Sequence, residues 1–432
     1  MSGPAAGEGG DLLTVTVRAI AAGGAGVGDL PDGRVAFVHR TAPGDRARVR
    51  ITGTKRSWAR AELVALEEAG PGRRPPPCRF YARCGGCTLQ HLDYAEQLRW
   101  KGRIVADALG RIGKREVESS VVEPSPRELR YRNRVTFTLR RLSGTRVVAG
   151  FHEIGVSTRV LDLTGDCLLP EEPIARAWDA LRAAWGAGAE RLPGGPRLRL
   201  TLRAVAEGVI LIVDGGSGSW APDTLLRAAP GLVAIWHQES GARMPVLVAG
   251  DRGSHEIWLG EPVRPGARAF LQVNRAAAER LHAAVLAAVG GAGRRTLVDA
   301  YCGVGVYGRV LARAGARVTG IELDPEAAAA ARQGAPEGFR VLEGAVEDRL
   351  VEALPADVAI LNPPRTGLDE RVAARLSASG VARIAYVSCD PATLARDLGR
   401  MASYDLVEVR AFDLFPQTAH VETLAVLERA LD

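Results

Sequence analysis

Residues Leu297 to Gly308, LVDAYCGVGVYG, decide the fold of the C-terminal part of this chain. An apolar run followed by a glycine-rich stretch predicts a buried strand, then a tight turn that opens a helix. Glycines 303, 305 and 308 are expected to let the backbone approach a ligand closely. Because their spacing also matches the Gly-x-Gly-x-x-Gly of dinucleotide sites, the turn alone does not exclude NAD.

Strands and helices alternate around this turn, from Ala269 towards the end of the chain. Short β runs such as ARVTGIEL, DVAILNPP and RIAYVSC are separated by helical patterns, and two further strands close the chain. This alternation predicts a doubly wound, mostly parallel sheet. The second strand of the unit ends at Glu322, where an acidic residue commonly holds a ribose diol.

The fourth strand of this unit ends in VAILNPPRTG, which places Asn362 and two prolines after a buried run. The prolines keep the chain extended, so we expect a polar side chain and carbonyl groups over the ligand site. This arrangement resembles class I S-adenosylmethionine-dependent methyltransferases, in which this loop faces the methyl acceptor. An ordinary Pro-rich turn between a strand and a helix is the alternative interpretation.

The next strand ends at Cys389, within AYVSCDPATLARDL (385–398). That position is the edge at which α/β proteins keep their ligands. Taken by itself, a packed thiol is the simpler interpretation, because free cysteine is among the most buried residue types.

The N-terminal part of the chain has a different pattern. Residues 12–66 form short β runs divided by Gly and Asp-Gly turns, which predicts a small five-stranded barrel of the OB type. A linker by composition, a cysteine-rich stretch, a helix and many strand-like runs follow. We therefore expect a flexible tail at 1–11, the barrel at 12–70, a cysteine knot at 71–94, a helix plus β-rich middle domain at 95–262 and the α/β domain at 263–432.

Composition is that of a soluble globular protein, with 432 residues, 47% hydrophobic and 25% charged. The sequence has no apolar run long enough to span a bilayer and no pattern of a signal peptide, so we expect a cytoplasmic protein without a membrane partner. The net charge is only +6, but arginines and lysines cluster at 12–60 and 127–146, with tyrosine and phenylalanine among them. Such clusters suit a phosphate backbone and stacked bases.

Over nearly its whole length the chain resembles RNA uracil-C5 methyltransferases. The stretches FLQVNRAAAERL, DAYCGVGVYG, GIELDPEA, NPPRTG, YVSCDPATLARDL and AHVETLAVLER occur in the order found in that family. The upstream CRFYARCGGC also matches, and the N-terminal barrel is similar to a TRAM domain. The cysteine loop and the last stretch are the most specific matches.

The resemblance implies a Rossmann-like, S-adenosylmethionine-binding C-terminal domain and assigns the chemistry. Cys389 would be the nucleophile that adds to C6 of uracil, and Glu422, in HVET, would be the base that removes the C5 proton. We expect the surroundings of Cys389 to lower the pKa of its thiol. Asn362 replaces the Asp of better-known members, which keeps a hydrogen-bonding oxygen and loses a charge. The cofactor contacts that the resemblance implies are Gln272, Tyr301, Glu322 and Asn362.

Four other cysteines suggest a second site. Cys78, Cys84 and Cys87 give C-x5-C-x2-C, and Cys167 lies far downstream. Four converging thiolates fit either an iron–sulfur cluster or a structural zinc, although zinc favours C-x2-C pairs. In the family that the chain resembles, these positions bind a [4Fe–4S] cluster, so we expect an iron–sulfur middle domain. Cys302, inside the glycine turn, is interpreted as a small packed residue.

The sequence therefore predicts a monomeric RNA m5U methyltransferase. The resemblance favours 23S ribosomal RNA as the substrate, because the cluster-bearing members mostly act there, and transfer RNA is the alternative. Two rival interpretations stay open. An RNA-binding protein could keep the fold without turnover, which only the Asn362 departure supports, and a cytosine-C5 methyltransferase would share the cysteine adduct.

Overall fold

The computed structural model describes residues 12–118, 121–251, 255–264, 266–290 and 293–430. The tail predicted at residues 1–11 lies outside these ranges. The described strands form one closed barrel, a six-stranded sheet, an eight-stranded sheet and two small two-stranded sheets. Within the same ranges, no helix combines the length and the apolar character needed to cross a membrane.

The N-terminal unit is a closed five-stranded barrel with strand order β1-β2-β3-β5-β4, as the sequence predicts. Alternation in β4 shows why the barrel forms. Ala47 and Val49 are fully buried inside it, while Arg46, Arg48 and Arg50 face outwards. The strands are β1 (Leu12–Ile20), β2 (Gly26–Asp29), β3 (Val35–Val38), β4 (Arg46–Thr54) and β5 (Trp58–Glu68).

After the cysteine segment come helix α1 (Tyr94–Arg111) and strand β6 (Val122–Glu123). Although they precede the middle sheet in the chain, both belong to the C-terminal unit. Helix α1 buries Val105 and Leu109 in the core of that unit. Complete burial of each side chain contributes about 1.5–3 kcal/mol.

The middle unit is a mixed six-stranded sheet of order β14-β13-β12-β11-β7-β8, covered by two helices. The helical insert predicted in this region is α2. The elements are β7 (Arg134–Arg141), β8 (Val147–Gly150), β9 (His152–Glu153), β10 (Val156–Val160), α2 (Glu172–Ala184), β11 (Arg197–Val205), β12 (Gly208–Asp214), α3 (Pro222–Ala228), β13 (Leu232–Gln238), β14 (Val246–Gly250), β15 (Glu256–Trp258) and β16 (Glu261–Val263).

The C-terminal unit is a doubly wound sheet of order β19-β18-β17-β20-β21-β23-β22-β6. Its strands are parallel except β23, which runs antiparallel between β21 and β22. The elements are α4 (Arg275–Ala288), β17 (Thr296–Ala300), α5 (Val306–Arg313), β18 (Arg317–Glu322), α6 (Pro325–Arg332), β19 (Phe339–Glu343), α7 (Val346–Ala353), β20 (Val358–Leu361), α8 (Glu370–Ala378), β21 (Arg383–Ser388), α9 (Pro391–Gly399), β22 (Tyr404–Phe412) and β23 (Glu422–Arg429).

Helices cover both faces of this sheet. Helices α4, α5 and α6 bury their apolar side chains on one face, and α1, α7, α8 and α9 bury theirs on the other. Strands β17, β18, β20 and β21 therefore end at one common edge, where a ligand crevice is expected in a sheet of this kind.

Candidate functional site

A cavity of about 840 Å³ opens at the carboxyl edge of the C-terminal sheet. Its walls come from the ends of β17, β18, β20 and β21, from the start of β23 and from the segment before α4. The six residues that the sequence assigns to catalysis and cofactor binding all line it: Gln272, Tyr301, Glu322, Asn362, Cys389 and Glu422.

The glycine turn after β17 is held by a hydrogen bond to the Glu322 carboxylate. The Gly303 amide donates a hydrogen bond to Glu322 (2.8 Å), and the other oxygen of that carboxylate accepts from the Asp324 amide (2.8 Å). Tyr301, before the turn, has φ of 63°, which is uncommon for a residue with a side chain. This strained residue lines the cavity, as Gly303 does.

The three glycines of the turn have different roles. A Cβ at Gly303 would meet no atom within 4 Å, so this residue leaves the backbone open towards the cavity. A Cβ at Gly305 or Gly308 would instead lie 2.6 Å or 2.2 Å from the ring of Phe339. The expectation that all three serve the ligand was therefore wrong, because two of them make room for helix α5 to pack.

Cys389 and Glu422 lie at the ends of neighbouring strands. Strands β21 and β23 are antiparallel, and their last pair is Ser388 with Thr423. Cys389 directly follows β21 and Glu422 is the first residue of β23, so the two residues lie at the same end of this strand pair. The thiol and the carboxylate thus share one wall of the cavity.

Burial shifts the pKa of both groups upwards. Glu422 is 3% exposed, and burial raises its pKa to about 7, with Arg365 acting in the opposite direction. Burial and the Glu422 carboxylate likewise raise the pKa of the Cys389 thiol, and Arg365 opposes both. The expectation of a lowered thiol pKa was therefore wrong, because desolvation and a neighbouring like charge both disfavour the thiolate.

Arg365 is a site residue that sequence reasoning did not select. It follows the Asn-Pro-Pro of the β20 loop, lines the cavity and is exposed there. Its charge lowers the pKa of both Cys389 and Glu422. Its position in NPPRTG could have indicated this role, because a cation next to a ligand-facing loop stabilises an anion that forms in the site.

A second group that the sequence did not indicate lies deep in the cavity. His282 on α4 stands between Trp258 and Tyr307, with ring centroids 5.8 Å and 5.0 Å away. Among the described residues, neither ring nitrogen of His282, nor the Tyr307 hydroxyl, nor Oε1 of Gln272 has a hydrogen-bond partner. Buried polar groups of this kind need a ligand or water to bond them.

Two large apolar side chains at the cavity are exposed. Phe270 and Leu323 line it and are 64% and 66% exposed. Large apolar side chains held in solvent beside a cavity are typical of surfaces that bind a flat partner.

The four upstream cysteines line a second, much smaller pocket. Cys78, Cys84, Cys87 and Cys167 meet there beside Phe80 and Phe151, and all four are free thiols. Burial, together with the neighbouring thiols, raises the pKa of Cys87 to about 12 and that of Cys167 to about 11. Within the described ranges, however, no group of three or more His, Cys, Asp or Glu is arranged to hold a single metal ion.

Two arginines fix the chain around this pocket. Arg40, from the barrel, donates to the carbonyls of Cys84 and Cys87 (2.7 Å each). Arg130, from the segment before the middle sheet, donates to the Cys167 carbonyl (2.7 Å). The cysteine loops are therefore held from two different parts of the protein.

Comparisons with known proteins agree with this arrangement. Two family models match the chain, a tRNA (Uracil-5-)-methyltransferase model over residues 345–430 and a TRAM domain model over residues 8–64. The first match contains Cys389 and Glu422, and the second covers most of the barrel.

Full-length relatives and a solved structure extend the match. An uncharacterized RNA methyltransferase of Gloeobacter violaceus is 34% identical, over 98% of this chain and 97% of its own. A 23S rRNA (uracil(1939)-C(5))-methyltransferase of Thiobacillus denitrificans is 32% identical, over 94% and 97%. The crystal structure of Pyrococcus abyssi tRNA (uracil-54, C5)-methyltransferase in complex with S-adenosyl-L-homocysteine is 27% identical, over 96% and 99%, with a TM-score of 0.75.

The C-terminal fold is thus that of an S-adenosylmethionine-dependent methyltransferase, and the TRAM barrel adds a module for RNA. The chain belongs to the family of RNA uracil-C5 methyltransferases. The family resemblance inferred from the sequence is confirmed.

Proposed function

We propose that this enzyme methylates C5 of a uridine in 23S ribosomal RNA, with Cys389 as the nucleophile and Glu422 as the base. The observation that carries the proposal is that this thiol and this carboxylate line one cavity, at the same end of the antiparallel pair of β21 and β23. The choice of 23S RNA rests on the Thiobacillus denitrificans relative, which matches along nearly its whole length.

The chemistry needs both groups because C5 of uracil is too weak a nucleophile by itself. The Cys389 sulfur forms a bond to C6, which places enolate character on C5. S-adenosylmethionine would supply the methyl group that C5 takes up, with S-adenosyl-L-homocysteine as the leaving product. Glu422 then removes the proton from C5, and the bond between sulfur and C6 breaks. The thiol is regenerated and m5U leaves.

The positions of Arg365 and Glu422 suit these steps. Glu422 has a pKa of about 7, so it can accept a proton near neutral pH and release it again. Arg365 lowers the pKa of the Cys389 thiol and so favours the thiolate that attacks. A uracil next to Cys389 would also displace water from the pocket, which strengthens these interactions.

The cofactor would bind across the glycine turn. Glu322, anchored to the turn by the Gly303 amide, is placed to accept from a ribose diol. Gln272, Tyr301 and Asn362 would surround the methyl donor from the other cavity walls. The unpaired Oε1 of Gln272 supports a ligand contact at that residue. Asn362 can still accept a hydrogen bond without the charge of an aspartate.

RNA would be held by the barrel. Arg46, Arg48 and Arg50 project from the outer face of β4, and phosphate contacts of this kind supply affinity without sequence specificity. Transfer RNA is the second candidate substrate, because the Pyrococcus abyssi enzyme, similar over 96% of this chain, is a tRNA (uracil-54, C5)-methyltransferase. We propose that the enzyme acts as a monomer, which light scattering would test.

Methyl transfer to defined RNAs tests the proposal. Purified protein is incubated with [methyl-³H]S-adenosylmethionine and with 23S, 16S or transfer RNA that lacks modification, followed by digestion to nucleosides. We expect label in m5U from 23S RNA, and none with Cys389→Ser. Label in m5U from transfer RNA alone would show that transfer RNA, and not 23S RNA, is the substrate. Label in m5C, or none in any RNA, would refute the reaction itself.

We further propose that the four upstream thiols hold a [4Fe–4S] cluster. The four cysteines line one pocket, which supports a shared ligand for their thiols. The choice of a cluster over zinc rests on the resemblance and on the C-x5-C-x2-C spacing, because zinc favours C-x2-C pairs. The role of the cluster would be structural, since methyl transfer moves no electron between protein and substrate.

Metal analysis tests the cluster. Protein purified without oxygen is expected to contain about four irons per chain and to lose them in the Cys87→Ser variant. Cys302→Ala, which removes a thiol outside this pocket, is the matched control and should keep the iron. Stoichiometric zinc without iron would refute the proposal.

A further inference from the structure

The chain segment that precedes Glu422 is hydrogen-bonded to several distant parts of the chain. Residues 413–421, here called the base-bearing segment, connect β22 to β23 and end next to Glu422. Phe415, within it, lines the large cavity beside that carboxylate. The path of this segment therefore fixes where the base and one cavity wall stand.

Successive carbonyl groups of the base-bearing segment accept hydrogen bonds from different parts of the protein. The Leu414 carbonyl accepts from Asn274, which caps α4 (3.2 Å). The Phe415 carbonyl accepts from Lys101 on α1 (3.1 Å), and the Pro416 carbonyl from the Tyr131 hydroxyl (3.0 Å). The segment has no regular secondary structure of its own, so these bonds determine its shape.

Gln417 is held in a strained conformation by the same kind of contact. It is fully buried and has φ of 69°, which a residue with a side chain rarely adopts. The backbone amide of Gln417 donates to Oε1 of Gln97 on α1 (2.9 Å), and Nε2 of Gln97 donates to Oε1 of Gln417 (3.1 Å). Such backbone persists only where the surroundings impose it, and it clusters at functional sites.

The cysteine loop also bonds this segment. The amides of Thr88 and Leu89, directly after Cys87, both donate to the Gln417 carbonyl (2.9 Å each). The Thr88 hydroxyl accepts from the Ala419 amide (3.2 Å). Tyr131, which holds Pro416, packs in one buried cluster with Cys87. The wall of the cysteine pocket and the base-bearing segment are thus a single hydrogen-bonded unit.

We propose that Tyr131 and Gln97 are positioning residues for the catalytic base, and that the cysteine loop sets the position of Glu422 through the base-bearing segment. The inference rests on the proposed roles of Cys389 and Glu422. It gives the cysteine pocket a function in a reaction that transfers no electron. The cysteine loop would hold the base-bearing segment in place, and so keep Glu422 where it can remove the C5 proton.

A positioning role predicts a defect in one step only. Methyl transfer precedes proton removal, so a displaced base leaves the methylated ring bonded to Cys389. That adduct survives SDS, and it keeps the hydrogen on C5. A purely structural role would lower all steps together, in proportion to the folded fraction. Tritium release from RNA carrying [5-³H]uridine and the yield of SDS-stable, methyl-labelled complex separate the two cases.

The variants are Tyr131→Phe, which removes one hydroxyl, and Gln97→Leu. We expect tritium release to slow about 10-fold or more, in line with the cost of small misplacements in active sites. The methylated adduct should accumulate, as it should in Glu422→Gln, while the Kd for S-adenosylmethionine changes less than about twofold. Wild-type protein that forms no m5U would instead refute the proposed function, and would do so before any variant is compared.

Tyr404→Phe is the matched control. Tyr404 is as buried as Tyr131, and its hydroxyl lies within hydrogen-bond distance of the carbonyls of Leu376 and Val381 (3.0 and 2.8 Å), which are not part of the base-bearing segment. We expect a lower melting temperature without adduct accumulation. Equal behaviour of Tyr131→Phe and Tyr404→Phe at matched folded fraction would overturn the proposal.

Hydrogen exchange provides a readout that does not depend on activity. Peptides covering residues 413–421 are compared between protein that metal analysis has shown to contain iron and the same protein after chelation of that iron. We expect faster exchange in this segment after chelation and unchanged exchange in β20, on the far side of β21. Identical protection of residues 413–421 in both forms would show that the cysteine loop does not set its position.

Discussion

Cys389 directly follows strand β21, and Glu422 is the first residue of β23, the antiparallel neighbour of β21. Both residues line the cavity at the carboxyl edge of the sheet. The ladder ends at Ser388 and Thr423, the residues next to them, so its backbone hydrogen bonds hold both positions at one end of this strand pair. The pair therefore offers a rigid frame for a flat ring.

The pH dependence of turnover should report Glu422. Since the carboxylate is the active form of the base and its pKa is about 7, kcat should fall about tenfold per pH unit below pH 7. Single-turnover rates between pH 5.5 and 9 would measure this limb. Because the thiol pKa is also raised, a further rise in rate is expected at alkaline pH. A flat profile between pH 5.5 and 8 would contradict the assignment.

The Glu422→Gln variant should be inactive but more stable in mild alkali. The folded state raises the carboxyl pKa from 4.5 to about 7, so the folded protein binds this proton more tightly than the unfolded chain. The resulting stabilisation is complete below about pH 4.5 and is lost as pH rises through 7. Glutamine removes the buried charge, which should add about 1–3 kcal/mol of unfolding free energy at pH 8.

Urea unfolding at pH 5 and pH 8 checks this prediction, and activity should fall by about 10²–10⁴-fold. Glu428→Gln, at an exposed position on the same strand, is the control and should change neither property. A Glu422→Gln variant that loses stability at pH 8 would argue against a buried charge at this position.

Removal of the Arg365 charge should shift the active pH range upwards. This guanidinium lowers the pKa of both catalytic groups. In Arg365→Met the thiol and the carboxyl should therefore titrate at higher pH, with a loss of about tenfold in rate at pH 7 for one pKa unit. Part of the rate should return at pH 9. Arg371→Met, at an exposed position of α8, should leave the profile unchanged.

The buried pair of Lys101 and Asp413 should be costly to break. Nζ of Lys101 lies 2.5 Å from Oδ1 of Asp413, and neither side chain is exposed. Removal of one partner leaves an unpaired buried charge, which destabilises by about 3–5 kcal/mol. We expect this loss in Lys101→Met by urea unfolding, and a partial recovery in the double variant Lys101→Met/Asp413→Asn. Additive losses would show that the two groups do not interact.

The outer face of β4 should determine RNA affinity rather than rate. For Arg48→Ala and Arg50→Ala, we plot the logarithm of the RNA association constant against the logarithm of salt concentration. Each variant should reduce the slope of this plot by about one. The effect on kcat at saturating RNA should be less than about twofold. Filter binding across a salt series measures the slope, with Arg227→Ala on the exposed face of α3 as the control. An unchanged slope would place the RNA elsewhere on the protein.

Much of the fold could be predicted because it is encoded in local periodicity. The barrel strands, α1, α2 and the alternating elements after Ala269 each show a pattern that a short window reveals. Strand β6 could not be predicted in this way, since two residues have no period. The attachment of α1 to the C-terminal sheet also depends on distant partners, in particular the core around Val105 and Leu109.

The candidate site, too, could be predicted only in part. The resemblance to RNA uracil-C5 methyltransferases predicted six residues that do meet in one cavity. The roles of Gly305 and Gly308 were misjudged because Phe339, which fills the space beside them, comes from a different strand. Arg365, His282 and Tyr307 were not selected, because their relation to Glu422 or to each other appears only after folding.

The sequence by itself determined which elements form and which chemical groups stand at their ends, because strand and helix periods, caps and turns act over a few residues. Only the tertiary structure decided that β23 returns antiparallel beside β21, which brings Glu422 into the same cavity as Cys389. It also decided the burial that raises both pKa values and the bonds that join the cysteine loop to the base-bearing segment. These properties depend on desolvation and on contacts between residues far apart in the chain, which no local pattern contains.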